Sequence, residues 1–212
     1  INRMNEYVVG QATQGLANQL IKTNGKDADL SVVIAYDSRH KSDVFAKEAA
    51  QILAANGIKV YLFEELKPVP ELSFSIRYLK TTAGIAVTAS HNPAKYNGYK
   101  AYGSDGAQLN PELATIVLDE IGKTDIFTGV KKMDFEQAID QGMIVMIGDE
   151  VEEAYLDEVQ KQCVNPELAK EKGDTLKFVY TPFHGAGNKP VRKILKRIVF
   201  NNVVVVKEQE LP

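Results

Sequence analysis

Eleven consecutive residues, S-H-N-P-A-K-Y-N-G-Y-K from Ser90 to Lys100, bring a hydroxyl, an imidazole and two ammonium groups into one short segment. The segment follows the apolar run "GIAV" (84–87), with the small Thr88 and Ala89 between, so a strand is expected to deliver an accessible serine. Two chemistries suit such a serine: attack on an acyl group, or carriage of a phosphoryl group. The acyl route is disfavoured. The nucleophile elbow G-x-S-x-G is absent, and successive side chains of extended backbone point apart, which places His91 poorly to deprotonate its neighbour. Phosphoserine carries about −1.5 to −2 charges at pH 7 and calls for nearby cations. His91, Lys95 and Lys100 supply them, joined by Arg39 just past the run "SVVIAYD". Phosphoryl transfer is mainly positioning and electrostatic stabilisation, commonly with Mg²⁺ bridging oxygens.

Those groups need a rim to stand on, and the chain before them supplies one. "LSVVIAY" (30–36), "IKVYLF" (58–63) and "GIAVTA" (84–89) read as buried strands rich in β-branched residues. Between them lie helices: "VFAKEAAQILAAN" (44–56), with Ser42 and Asp43 as expected caps, and "ELSFSIRYLK" (71–80), opened by Pro70. An amphipathic helix, with Val8, Val9, Ala12, Leu16, Leu20 and Ile21 on its apolar face, precedes them and ends at Asn24-Gly25. Alternating strands and helices imply an α/β fold: a mixed, mostly parallel sheet sandwiched by helices. Ligands of such sheets bind outside the carboxyl ends of the strands, which is where Ser90 falls. Asn92-Pro93 turns the chain away, and Asn97-Gly98 is a hairpin signal that brings "YKAY" back beside the serine's strand. Alternation puts Lys100 and Tyr102 on one face and Tyr99 and Ala101 on the other, so Lys100 is expected to reach towards Ser90.

Later, "PELATIVLDEIGK" and "DEVEEAYLDEVQKQ" read as helices opened by Asn110-Pro111 and Asp149. The polar "VNPELAKEKGDT" (164–175) reads as a linker, and "LKFVYT", "KPVRKILKRI" and "VVVV" as the start of another βαβ unit. The expected domains are therefore 1–173 and 174–212. Both ends look cut: Ile1 already stands in helical register, and the chain stops soon after a strand.

Composition narrows the function classes. With 25 basic against 28 acidic residues, no strong attraction to nucleic acid or anionic membrane is expected. No run approaches the roughly 20 apolar residues of a membrane span. A lone cysteine, Cys163, cannot form an intrachain disulfide, and a reducing, cytoplasmic setting is the default.

The stretch "TASHNPAKYNGYKAYGSDGAQL" (88–109) resembles the phosphoserine loop of the α-D-phosphohexomutase superfamily, the phosphoglucomutase and phosphomannomutase family. "YDSR", "PVPELSFSIRYLK" and "YTPFHGAGN" agree with it, so the likeness runs over nearly the whole chain; "NGYKAYGSDGAQL" favours the bacterial phosphoglucomutase branch. The resemblance implies a four-domain enzyme that interconverts hexose 1-phosphate and hexose 6-phosphate. It assigns Ser90 as the stored phosphoserine, with glucose 1,6-bisphosphate as intermediate and activator. His91 and Lys100 become phosphate-binding and proton-transfer groups, and Arg39 and Lys95 supports for phosphate. Mg²⁺ is implied on the phosphoserine, held also by aspartates of the second domain. The implied partners are a small sugar phosphate and the remaining domains of the same polypeptide. The family's G-T-[SG]-G-x-R-G and D-G-D-x-D-R motifs and its later sugar- and phosphate-binding loops are not in this sequence, so this piece alone is expected to lack turnover. Phosphomannomutase or phosphopentomutase activity, or a non-catalytic folding and interaction role, are the alternatives.

Each residue also has a plainer reading: Ser90 a turn serine bonding to backbone, His91 a loop anchor, Lys100 an exposed strand lysine. Arg39 could equally be an ion-pair partner of Asp37 or Asp43, His184 a structural loop residue, and Cys163 a bystander. The glycines of "HGAGN" lack the P-loop lysine-serine pair and G-x-G-x-x-G, a weak phosphate signal.

Overall fold

A computed structural model describes residues 4–212. The expectation that helical register reaches back to Ile1 lies, for residues 1–3, outside the described residues. These divide into two units, one ending at Ile147 and one beginning at Gly148.

The first unit holds β1 (Ser31–Tyr36), β2 (Lys59–Phe63), β3 (Ala83–Val87), β4 (Tyr99–Gly103) and β5 (Ile144–Ile147), in spatial order β4-β3-β1-β2-β5. β3, β1, β2 and β5 pair in parallel, and β4 joins β3 antiparallel at the edge. The sheet is mixed and mostly parallel, as expected. Helices α1 (Glu6–Asn24) and α2 (Ser42–Ala55) cover one face, with α4 (Pro111–Gly122) on α1 and α5 (Phe135–Asp140) on α2. Val32, Ile34, Val60, Leu62, Ile85 and Val87 pack there against Leu16, Phe45 and Leu53. The intervening Val33, Ala35, Ala86 and Phe63 are also buried, and α3 (Val69–Tyr78) packs on β1 and β3 with its Leu72 and Ile76 fully covered. Burial on both faces explains why these strands read as continuous apolar runs. At Gly84 the fit to α3 is so close that a Cβ would stand 2.3 Å from Ile76 Cδ1.

Local signals hold with two exceptions. Asn5 and Asn110 cap α1 and α4 through their side chains, and Pro70 sits in the first turn of α3. Ser42 and Asp43, however, do not cap α2; the N-cap is Lys41 in left-handed backbone (φ 62°), and the Ser42 hydroxyl is drawn instead to Asp37. Nor does Asn97-Gly98 form a two-residue hairpin. Thr88 N donates to Gly98 O at 2.9 Å, so the strands are closed by the whole segment between those residues. Gly98 is required there because a Cβ would lie 2.6 Å from the Thr88 carbonyl oxygen.

The second unit holds α6 (Asp149–Lys161), α7 (Pro166–Lys172), β6 (Phe178–Tyr180), α8 (Asn188–Arg197) and β7 (Val203–Val205), with β6 and β7 parallel as a βαβ connection requires. The boundary expected near Gly173 therefore falls inside this unit. α6 packs on α8, and ion pairs join the two helices: Lys193 of α8 pairs with Glu152 of α6, and Arg197 with Glu153 and Asp157. The supposed linker is itself helical, because Pro166 occupies a first turn, where proline is tolerated, and Asn165 caps it. No described helix is long and apolar enough to cross a membrane.

Candidate active site

β1 and β3 are adjacent and parallel, so the residues that leave their carboxyl ends meet at one rim. Asp37 N continues the ladder by donating to Val87 O at 3.2 Å, which sets Asp37 beside Thr88. The Asp37 carboxylate then accepts four hydrogen bonds. Oδ1 takes the Arg39 amide at 3.1 Å and the Ser42 hydroxyl at 2.9 Å; Oδ2 takes Arg39 Nε at 3.0 Å and the Thr88 hydroxyl at 2.5 Å. Charge-assisted bonds of this kind are about twice as strong as neutral ones. Thr88 Oγ1 in turn accepts the Ser90 amide at 3.0 Å.

From this hub Arg39 extends across the loop. Its Nη2 donates to Ser90 O at 2.5 Å, and its Nη1 to Pro93 O at 2.8 Å and Tyr96 O at 3.1 Å. The side chain is only 8% exposed. Asn97 fixes the far end, donating to Ser42 Oγ at 2.8 Å and His40 O at 3.2 Å. Within the loop, Asn92 N bonds to Ala89 O and Tyr96 N to Pro93 O.

Held this way, Ser90 lies exposed in the left-handed region, φ 59°. That conformation is uncommon for a residue other than glycine and marks a site whose surroundings over-determine it. It also overturns the expectation that His91 is turned away. The alternation rule assumes extended backbone, and a left-handed serine breaks it: Ser90 Oγ and His91 Nδ1 stand 3.2 Å apart. Among the described residues no carboxylate is bonded to His91, so the pair lacks the third member of a hydrolase triad.

The remaining sequence candidates are arranged less tightly. Lys95 is exposed, its ammonium 5.6 Å from the Tyr96 ring centroid. Lys100 stands on the edge strand opposite Ala86, with Tyr99 opposite Val87 on the other face, as alternation requires. Among the described residues Lys100 makes no hydrogen bond to Ser90 or His91. Tyr99 underpins the strand: burial pushes its phenol well above the usual tyrosine range, partly offset by Thr13 Oγ1 3.2 Å away. Sequence reasoning missed Asp37 as the organiser of the loop, although it stands in the "YDSR" segment that carried the resemblance. In the second unit, His184 Nδ1 lies 2.6 Å from Leu211 O and its amide donates to Gln209 O, in line with a structural loop role.

Among the described residues no three His, Cys, Asp or Glu side chains converge as a metal cage. The Asp37 carboxylate is engaged by four hydrogen-bond donors, the Arg39 guanidinium among them, and is not left open for a cation. The residues present do not fit a bound Mg²⁺ by themselves.

Two family sequence models match the chain: "Phosphoglucomutase/phosphomannomutase, alpha/beta/alpha domain I" over residues 1–126 and the corresponding domain II over residues 153–212. The observed division at Ile147 falls between them. A Staphylococcus haemolyticus phosphoglucomutase is 39% identical over 207 residues, covering 98% of this chain and 36% of that protein. A Haemophilus influenzae protein named "Probable phosphomannomutase" is 36% identical, over 99% of this chain and 41% of its own length. A crystal structure from Thermus thermophilus superposes with a TM-score of 0.79 at 23% identity, covering 98% of this chain and 43% of that one; at that identity the likeness is one of fold. The chain thus spans about two fifths or less of the curated relatives it matches.

Proposed function

Because the chain belongs to the phosphoglucomutase/phosphomannomutase family, we propose that the intact protein interconverts hexose 1-phosphate and hexose 6-phosphate through a phosphoryl group carried on Ser90. The observation that carries this reading is the exposed, left-handed Ser90 with its hydroxyl 3.2 Å from His91 Nδ1. The phosphorylated Ser90 transfers its group to the free hydroxyl of the bound sugar phosphate. The O–P bond to Ser90 breaks, a new O–P bond forms on the sugar, and the serine oxygen regains a proton. The product is a hexose 1,6-bisphosphate, glucose 1,6-bisphosphate in the case of glucose. After it reorients, Ser90 Oγ attacks the other phosphate. A Ser90 O–P bond forms, the O–P bond to that sugar oxygen breaks, and the sugar oxygen leaves as a hydroxyl after taking up a proton. His91 Nδ1, 3.2 Å away, is placed to accept the serine proton. Lys95 and Lys100 add positive charge for the phosphate oxygens.

Mg²⁺ remains part of the proposal only with ligands beyond the described residues, among which no three His, Cys, Asp or Glu converge; a cytoplasmic setting is likewise part of the proposal. Glucose is the first substrate to test, since the Staphylococcus phosphoglucomutase is 39% identical; mannose is the second, on the 36% identical Haemophilus protein. Phosphopentomutase activity, or a non-catalytic role, is less favoured by these names. The test is to incubate the intact protein with glucose 1-phosphate and a trace of glucose 1,6-bisphosphate. Accumulation of glucose 6-phosphate supports the reading, fast conversion of mannose 1-phosphate alone redirects the substrate, and no conversion of either defeats it.

A further inference from the structure

The least explained feature of the rim is the direction of Arg39. A cation beside a phosphate-carrying serine is expected to aim at the phosphate, yet Nη1 and Nη2 point at backbone carbonyls of Ser90, Pro93 and Tyr96, while Nε points at Asp37. Four acceptors converge on a guanidinium whose side chain is only 8% exposed. Three of them are carbonyls of the segment that closes β3 onto β4, and one of these is Ser90's own. The planar fork of arginine can meet several acceptors at fixed angles, which the single ammonium of lysine cannot.

We infer that Asp37 and Arg39 are positioning residues for phosphoryl transfer: together they clamp the Ser90 segment so that its hydroxyl is presented in left-handed backbone beside His91. This rests on the proposed phosphoserine role. Asp37 is the fixed jaw. It is tied to β3 through its amide bond to Val87 O and to Thr88 through the hydroxyl, and the same hydroxyl receives the Ser90 amide. Arg39 is the second jaw, reaching from the end of β1 over the loop to the Ser90 carbonyl. The Ser90 peptide is thus gripped on both sides, at its N–H through Thr88 and at its C=O through Arg39. A left-handed serine left to itself would relax to the commoner backbone regions, and His91 would swing away from its oxygen. The clamp leaves Lys95, Lys100 and His91 as the groups free to meet phosphate.

The test uses the full-length protein with Arg39→Ala, Arg39→Lys and Asp37→Asn, read by steady-state kinetics on glucose 1-phosphate and by amide hydrogen exchange. Misplacement of a reacting group by about 1 Å can cost 100-fold. We expect Arg39→Ala to lower kcat by about 10- to 100-fold with KM changed less than about threefold. Millimolar guanidinium should restore part of the kcat of Arg39→Ala, Arg39→Lys should stay low, and a merely structural arginine would show no such rescue. The amides of Ser90, Asn92 and Tyr96 should exchange at least about tenfold faster in Arg39→Ala, and unchanged in Lys95→Ala. A raised KM at unchanged kcat, with loop exchange as in wild type, would show that Arg39 grips the substrate and overturn the clamp. Should Arg39→Ala fail to fold, Thr88→Val removes the link from Asp37 to the Ser90 amide and is read by the same two measurements. If the wild-type protein carries no phosphate on Ser90 and converts no hexose phosphate, the functional reading fails; the clamp is then still decided by the exchange rates.

Discussion

Replacing Gly98 by alanine places a methyl carbon 2.6 Å from the Thr88 carbonyl oxygen, where ordinary contacts begin at 3.4 Å. The obstacle is backbone, and Thr88 N is itself bonded to Gly98 O at 2.9 Å, so neither partner can turn aside without breaking the closure of the loop. One strand end must retreat by roughly 0.8 Å, the difference between 2.6 and 3.4 Å. Overpacking of this kind costs about 1–3 kcal/mol, which lowers the melting temperature of a unit this size by about 2–4 °C per kcal/mol. The larger consequence is geometric. Thr88 Oγ1 both donates to Asp37 and receives the Ser90 amide, so a displaced Thr88 carries the serine with it. Gly98→Ala should therefore lower kcat by about 10- to 100-fold, well beyond what its loss of stability accounts for at temperatures where it stays folded. The assay is turnover of glucose 1-phosphate by the intact protein beside a thermal melt followed by circular dichroism. Turnover within about twofold of wild type, with an unshifted melt, would refute the coupling of Gly98 to Ser90.

Gly122, by contrast, has nothing within 4 Å of a built Cβ and closes α4, so Gly122→Ala should be neutral to stabilising by about 0.5–1 kcal/mol in a denaturant melt. Asp125 is a pH probe. The amides of Thr128 and Phe127 and the Thr128 hydroxyl all donate to it and hold its carboxyl below the usual aspartate range. A lowered folded pKa means its contribution is present above the unfolded value and lost as pH falls through the folded one. The stability gap between wild type and Asp125→Ala should shrink on acidification, and an NMR titration should put its midpoint below the usual one. In the second unit, Lys193→Met removes the partner of buried Glu152 and should cost about 1–3 kcal/mol in a denaturant melt, less than a fully buried pair because Lys193 is 38% exposed. If the parent needs Mg²⁺, a chelator should stop turnover reversibly; indifference to chelation would count against the proposed chemistry.

The central sheet is legible because its strands are buried on both faces and so read as unbroken runs such as "SVVIAY", with Asn or Pro at several helix starts. α5 and β5 are not. Six and four residues are too short for a period to show, although Asp134, which caps α5 through Gln137 N, is a start signal in the sequence. α7 is hidden because Pro166 and Gly173 read as breakers, when proline in a first turn is compatible with a helix. A helix mistaken for a linker draws the expected boundary to Gly173 instead of Ile147. The site divides the same way: residue types point to Ser90 but not to the sign of its φ, since serine carries no preference for positive φ. The relation of His91 to Ser90 follows that sign rather than sequence spacing. The role of Asp37 needs the parallel pairing of β1 and β3, which places residues fifty-one apart in hydrogen-bond contact.

The most direct measurement is single-turnover transfer from radiolabelled protein. Intact protein labelled on phosphate is mixed with unlabelled glucose 1-phosphate, quenched at intervals, and the label in Ser90 peptide and in sugar is counted. The account predicts that label leaves Ser90 and appears in hexose bisphosphate at the rate of turnover, and that Ser90→Ala takes up none. Label that stays on the protein while the sugar is isomerised at full rate would contradict it.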